Sequence, residues 1–203
     1  DLKVGHAVRS VDECLRLARE DHVIATRLLD ARHIAGDRRL ANELKRRFAG
    51  EVIGDTAIAF VEAKLAERDK RHARMGDSRY VLEPNIKDGK GGLRDLHILL
   101  WLAKALYRIQ SLDDLAKLGV LTEKEVRRFA KAQNFLWTLR CHLHALAGRA
   151  GDLLTFDVQT AIARRLGYTD HAGTLAVERF MKHYFLTAKT VGDLTRILCA
   201  VIA

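Results

Sequence analysis

Residues 83–95 read Glu83-Pro84-Asn85-Ile86-Lys87-Asp88-Gly89-Lys90-Gly91-Gly92-Leu93-Arg94-Asp95, and they contain the single proline of the 203-residue chain. Three glycines fall within four positions, and an apolar helical pattern begins at Leu96. Glycines ahead of a helix can expose backbone N–H groups at the positive end of the helix dipole, and lysines beside such a site suit phosphate. A second interpretation is a glycine-rich connection between two helices, with Pro84 as a stop signal.

The segments that flank this stretch have the apolar spacing of helices. Thr122 to Glu125 forms a capping box, and Gly167 follows an apolar pattern as a C-terminal cap. Two apolar stripes recur with near-heptad spacing, at Phe129, Ala132, Leu136, Leu139, Leu143 and Leu146, and at Val177, Tyr184, Val191 and Leu198. Such stripes predict the core of a helical bundle.

The first fifty residues have a different pattern. Val4, His6 and Val8 alternate with other residues, which predicts a short strand, and a second strand is predicted around Leu28–Ile34. Helices are predicted from the capping box at Ser10 and from Asp37 to near Gly50. The expected fold class is therefore mainly α: a helical bundle preceded by the C-terminal remnant, two short strands and two helices, of an α/β domain.

Composition limits the classes of partner. The net charge is +9, which favours an anionic partner, but aromatic residues make up only 6% and do not alternate with basic ones. A nucleic-acid partner is therefore not favoured. No apolar run approaches the ~18 residues of a membrane span, and the three cysteines form no C-x-x-C pair, so we expect a cytoplasmic protein with free thiols. The lack of an initial Met suggests a piece of a longer protein.

The densest basic cluster precedes the glycine-rich stretch and consists of Arg68, Lys70, Arg71, His72, Arg74 and Arg79. One interpretation is the solvated end of a helix, and the other is a polyphosphate site.

Residues 83–95 resemble the E-P-x-I-K-x-x-x-G-G-L-R-D signature of bacterial protein-PII uridylyltransferase/uridylyl-removing enzymes. The segments Val4–Ser10, Leu153–Gln159 and Val177–Phe185 also resemble that family, so the resemblance covers essentially the whole chain in order. Glutamine-synthetase adenylyltransferases have a similar K-x-G-x-G-G-x-R-D run. The other three segments favour the uridylyltransferase.

The resemblance implies an internal fragment of an enzyme that transfers UMP from UTP to a tyrosine of the PII nitrogen-signalling protein, with Mg²⁺. Residues 1–50 would end the nucleotidyltransferase domain, and residues 51–203 would form a helical domain beside the nucleotide cleft. The family's paired metal carboxylates come from a G-S…D-x-D motif, which this sequence lacks, so we expect them upstream of Asp1. Without those carboxylates, we expect this fragment to be inactive by itself. The sequence also lacks the His-Asp pair of the hydrolase domain, so we expect the hydrolase site to be absent from it.

Two sets of candidate site residues follow from the resemblance. Asp30 is the candidate third carboxylate, both catalytic and metal-binding, with a surface ion pair to Arg27 or Arg32 as the alternative. The candidate nucleotide-binding residues are Lys87, Lys90, Gly91, Gly92, Arg94 and Asp95. Arg94 and Asp95 can instead form a structural ion pair that orients the helix start.

Two other functions remain open from the sequence. One is a glutamine-synthetase adenylyltransferase half or another nucleotidyltransferase with a helical substrate-binding domain, which nucleotide preference would distinguish. The other is a basic helical nucleic-acid-binding or scaffold module, which a steep salt dependence of DNA affinity would favour.

Overall fold

The computed structural model describes residues 5–202, and this part of the chain is mainly helical, as predicted. The helices are α1 (Val11–Glu20), α2 (His22–Leu29), α3 (Arg38–Arg47), α4 (Gly54–Arg74), α5 (Leu93–Tyr107), α6 (Asp113–Lys117), α7 (Glu123–Ala147), α8 (Phe156–Arg165) and α9 (Ala176–Ile202). A π-helical segment, Phe48–Ile53, connects α3 to α4. No helix among these residues is long and apolar enough to cross a membrane.

The two predicted strands are absent from the described residues. Residues 5–10 have no regular structure, and Val4 lies outside the described part. The strand predicted around Leu28–Ile34 is wrong, because Leu28 and Leu29 end α2 and Asp30 is its C-cap. The side chain of Asp21 accepts a hydrogen bond from the N–H of Val23 at 2.6 Å, which starts a helix and overrides the β-branched residues that follow.

The chain divides into two compact units. The N-terminal unit contains residues 5–64 and Trp101–Ile109. Ser10 caps α1 by accepting a hydrogen bond from the N–H of Glu13 at 3.2 Å, and Leu15 and Ala18 form the buried face of that helix. The helix predicted to end near Gly50 instead continues through the π-helical segment into α4, where Phe48, Val52 and Ile53 are buried.

The C-terminal unit contains Leu65–Leu100 and residues 110–202. Here α7, α8 and α9 pack pairwise, so the predicted helical bundle is confirmed. The apolar stripe of α7 is buried from Phe129 to Leu143, and Tyr184, Val191 and Leu198 of α9 are buried with it. The Thr122–Glu125 capping box starts α7, and Gly167 follows α8 with φ +80°, both as predicted.

Candidate functional site

Residues 83–92, here called the glycine loop, are anchored by the segment between α7 and α8. The N–H of Ile86 donates to the carbonyl of Asp152 at 2.8 Å, and the N–H of Leu154 donates to the carbonyl of Pro84 at 2.9 Å. The carboxylate of Glu83 accepts a hydrogen bond from the N–H of Phe156 at 2.7 Å. These bonds fix the entry of the loop against a distant part of the sequence.

The interior of the loop is closed by its own hydrogen bonds. The side chain of Asn85 accepts from the N–H groups of Lys87 and Asp88 at 3.1 and 2.7 Å. The first N–H groups of α5 bond back to the loop, Leu93 to the carbonyl of Ile86 at 3.0 Å and Arg94 to the carbonyl of Lys87 at 2.8 Å. The free donors that a helix start ordinarily offers to an anion are therefore already bonded here.

The glycines of the loop are needed for close packing. A Cβ atom at Gly91, where φ is +83°, would lie 2.6 Å from the carbonyl oxygen of Ala188 in α9. A Cβ atom at Gly92 would lie 2.8 Å from the carbonyl oxygen of Ile86. Both distances are too short for a side chain, so the loop can adopt this conformation only with glycine at these two positions.

Asp95 is the buried centre of a polar network beneath the loop. Its carboxylate accepts hydrogen bonds from the guanidinium of Arg71, from the Nε2 of His72 at 2.9 Å and from the N–H of Gly91 at 2.8 Å. Arg71 also donates to the carbonyl of Asp88 at 3.1 Å. Burial lowers the pKa of Arg71, and the charges of Asp95 and Asp88 act against that shift. The network ties α4 to the start of α5 within the C-terminal unit.

A second network surrounds Asp152, which the sequence analysis did not identify. Its carboxylate accepts from Arg140 at 2.7 Å and from His144 at 3.1 Å, and Lys87 approaches it at 3.6 Å. Burial acts to raise the pKa of Asp152, but the hydrogen bonds from Arg140 and His144 outweigh it, so the pKa lies below its usual range. The Arg140–His144 pair, one turn apart on α7, is thus satisfied by a carboxylate from the anchoring segment.

The other two cations among the candidate nucleotide-binding residues each have a carboxylate partner. Lys90 pairs with Asp77 at 2.6 Å, and Arg94 approaches Asp88 at 3.4 Å. The suggested Arg94–Asp95 ion pair is therefore wrong, because Asp95 is bound by Arg71 instead. Of the six candidate nucleotide-binding residues, Lys87, Lys90 and Arg94 keep partly exposed side chains, whereas Asp95 is buried.

Asp30 belongs to the N-terminal unit and lies at the end of α2, so it is not on the strand predicted around Leu28–Ile34. Its carboxylate accepts a hydrogen bond from the indole N–H of Trp101 at 2.6 Å and pairs with Lys104 at 2.5 Å. Asp30 therefore forms an ion pair as the alternative suggested, but its partner is Lys104 of α5 and not Arg27 or Arg32.

The donor set for Mg²⁺ is not complete in the described part of the chain. Residues 5–202 contain no group of three or more His, Cys, Asp or Glu side chains arranged to hold a metal ion. Because Mg²⁺ takes oxygen ligands in near-octahedral geometry, Asp30 does not form a metal site by itself.

Sequence reasoning missed the role of Arg71, His72 and Asp152. Arg71 and His72 stood out only as part of a basic cluster. Asp152 could have been identified from its position in the sequence, because it directly precedes Leu153–Gln159, one of the segments that carries the family resemblance.

Comparisons with known proteins agree with the resemblance. The chain is 64% identical over 201 residues to the bifunctional uridylyltransferase/uridylyl-removing enzyme of Azospirillum brasilense and 62% identical over 201 residues to that of Rhodospirillum rubrum. Each alignment covers 99% of this chain and 22% of the relative, so the chain spans about a fifth of the length of these enzymes. No solved structure matches the chain significantly. The family model described as GlnD PII-uridylyltransferase matches residues 59–199, and the chain belongs to this family.

Proposed function

We propose that this chain is part of an enzyme that transfers UMP from UTP to a tyrosine of a PII signalling protein. The observation that carries the proposal is the identity of 64% across 99% of the chain to an enzyme named for uridylyl transfer and removal. In this proposal, residues 1–50 complete the transferase domain and residues 51–203 form the helical domain of the nucleotide cleft. A cytoplasmic location fits such a nucleotide-dependent enzyme.

Within the proposed cleft, side chains rather than backbone groups face the nucleotide. The N–H groups of Leu93 and Arg94 are bonded inside the loop, which leaves Lys87, Lys90 and Arg94 as the partly exposed cations. A phosphate group would compete with their carboxylate partners for these cations. Gly91, Gly92 and Asp95 would act by holding the shape of the loop.

The proposed reaction uses Mg²⁺, which would polarise the reacting phosphate and neutralise the leaving pyrophosphate. Asp30 is the candidate for one of its carboxylate ligands. The other ligands are proposed to come from parts of the longer enzyme that precede this chain.

The test is a transfer assay with the longer protein that carries this chain. Purified enzyme and Mg²⁺ are incubated with labelled UTP or labelled ATP and with either PII protein or glutamine synthetase, and label on each acceptor protein is measured. We expect transfer from UTP that disappears when the acceptor tyrosine of PII is replaced by Phe. Transfer from ATP to glutamine synthetase, with none from UTP to PII, would instead favour the adenylyltransferase alternative.

A further inference from the structure

The C-terminal unit contains a cavity lined largely by charged side chains. It lies between the end of α4, the glycine loop and α9, and its volume is about 540 Å³. Four cationic side chains line it, those of Arg68, Arg79, Lys90 and Arg196. We refer to it as the cationic cavity.

Carboxylates also line the cationic cavity, but they are already neutralised. Asp69 pairs with Arg68 at 2.8 Å, and Asp77 pairs with Lys90 at 2.6 Å. The third, Asp95, pairs with Arg71, which is not itself one of the lining residues. Each carboxylate therefore has a cation of its own.

Arg79 and Arg196 are the cations that remain. Within residues 5–202, neither guanidinium forms a hydrogen bond or a close ion pair. In the same part of the chain, the Nη1 of the buried Arg71 also has no hydrogen-bond partner. The cations around the cavity thus exceed the carboxylates, which makes the cavity attractive to an anion.

The position of Arg79 depends on a glycine in the middle of a helix. A Cβ atom at Gly192 of α9 would lie 2.6 Å from the Nη2 of Arg79, so the guanidinium occupies the space that a side chain would take. Glycine is less favourable than alanine inside a helix, and here it is what allows the guanidinium to lie against the helix. Arg79 is near enough to help lower the pKa of Asp77 but makes no hydrogen bond to it, and a half-buried guanidinium without a hydrogen bond has lost water contacts that an anionic ligand would replace.

We propose that the cationic cavity binds a diphosphate or triphosphate group. Guanidinium groups donate paired hydrogen bonds that match phosphate oxygens, and the cavity is larger than one phosphate requires. Among the described residues, no Phe, Tyr or Trp side chain lines it, and the one ring that does, that of His72, is bonded to Asp95, so the cavity is better suited to phosphate than to a stacked base. The proposal rests on the proposed function only for the source of the group, which is either the triphosphate of the nucleotide or released pyrophosphate.

The binding test uses calorimetric titration of the chain with inorganic pyrophosphate at low salt. Arg79→Gln should weaken binding about tenfold or more, because it removes a charged donor. Gly192→Ala should weaken binding by a similar factor without changing the charge, because the new methyl group displaces the guanidinium of Arg79. The matched control is Arg149→Gln, an exposed arginine outside the cavity, which should bind as the unchanged protein does.

A second measurement locates the ligand. Cys199 lines the cavity, with its Sγ 3.5 Å from Arg68, whereas Cys141 is exposed elsewhere. Pyrophosphate should slow alkylation of Cys199, measured by mass spectrometry of its peptide, and should leave Cys141 unaffected. This protection should be lost in Gly192→Ala.

Three results would overturn the proposal: no pyrophosphate binding by the folded chain, equal binding by the Arg79 and Arg149 variants, or no protection of Cys199. UTP and UMP then distinguish the sources. If UTP binds, is weakened by Arg79→Gln, and binds much more tightly than UMP, the ligand is the nucleotide triphosphate. If pyrophosphate binds but UTP does not, the ligand is the released product. A negative result here leaves the transfer assay unaffected, so failure of the cavity and failure of the proposed function are separate outcomes.

Discussion

At the scale of single residues, this chain uses charged groups in two different ways. Asp95 is 3% exposed and depends on Arg71 for neutralisation, whereas Asp88 and Arg94 remain close to solvent. A buried charge that loses its partner is strongly destabilising, but a partly exposed pair contributes little. Stability should therefore depend far more on the Asp95 network than on the other charges of the loop.

Asp95→Ala should lower the free energy of unfolding by about 3–5 kcal/mol, because it leaves the buried guanidinium of Arg71 without its carboxylate. Asp88→Ala is the control and should lower it by less than about 1 kcal/mol. Urea unfolding followed by circular dichroism measures both. Similar values for the two variants would mean that Asp95 does not hold the network together.

Asp152 should make the protein sensitive to acid. Its pKa is lowered in the folded state, so the stability it contributes is fully present above the ordinary pKa of Asp, about 4, and is lost as pH falls through the lower folded pKa. Asp152→Asn should therefore be less stable than the unchanged protein at pH 6, and the difference should narrow as pH falls below about 4. A difference that stays constant with pH would refute this assignment. In an Arg140→Gln background the narrowing should be smaller, because a hydrogen bond that lowers the pKa is missing.

Asp30 can be tested against its ion-pair partner in the longer enzyme. If its carboxylate serves catalysis, Asp30→Asn should lower the transfer rate about a hundredfold or more while the melting temperature changes little. Lys104→Gln breaks the same ion pair from the other side and should leave the rate within about threefold. Equal, small effects of both variants would make Asp30 a structural residue only.

At the scale of elements, the ends of helices are set by short-range hydrogen bonds and by glycine. Thr122 and Glu125 bond reciprocally at the start of α7, and Gly148 ends that helix with φ +64°. The start of α5 differs, because its donors are satisfied by the preceding loop rather than by a capping side chain. That arrangement requires glycine at position 91, where the loop approaches α9.

Gly91→Ala should lower the free energy of unfolding by about 3 kcal/mol, since the residue needs a positive φ and its new methyl group would meet the backbone of Ala188. Gly167→Ala also has a positive φ but has open space around it, so it should lower stability by only about 1 kcal/mol. Chemical denaturation of both variants gives the comparison. Equal decreases in the free energy of unfolding would show that the close approach of Gly91 to α9 does not contribute to stability.

At the scale of the whole molecule, the chain is about a fifth of the length of its relatives, and its described residues lack a complete metal site. We predict that the purified 203-residue chain does not label PII when it is incubated with labelled UTP and Mg²⁺. The longer enzyme, assayed in parallel, is the positive control. Robust transfer by the short chain would mean that the metal-binding carboxylates lie within it.

The sequence by itself determined the helical bundle, the capping box of α7, the cap at Gly167 and the family. These features depend on local hydrogen bonds and on periodic apolar residues, which a sequence displays directly. It failed at residues 28–34, where alternating residues suggested a strand, because the helix capped at Asp21 continues to Leu29 and residues 31–34 have no regular structure.

Only the tertiary structure decided which charges meet. One of the two interpretations paired Asp95 with its neighbour Arg94, yet Asp95 is bound by Arg71, which lies 24 positions earlier. Lys87 and Arg140 converge on Asp152 because the glycine loop bonds to the segment between α7 and α8. Partners so distant in sequence are chosen by packing, since helices that bury apolar faces bring their polar residues together without leaving any local pattern.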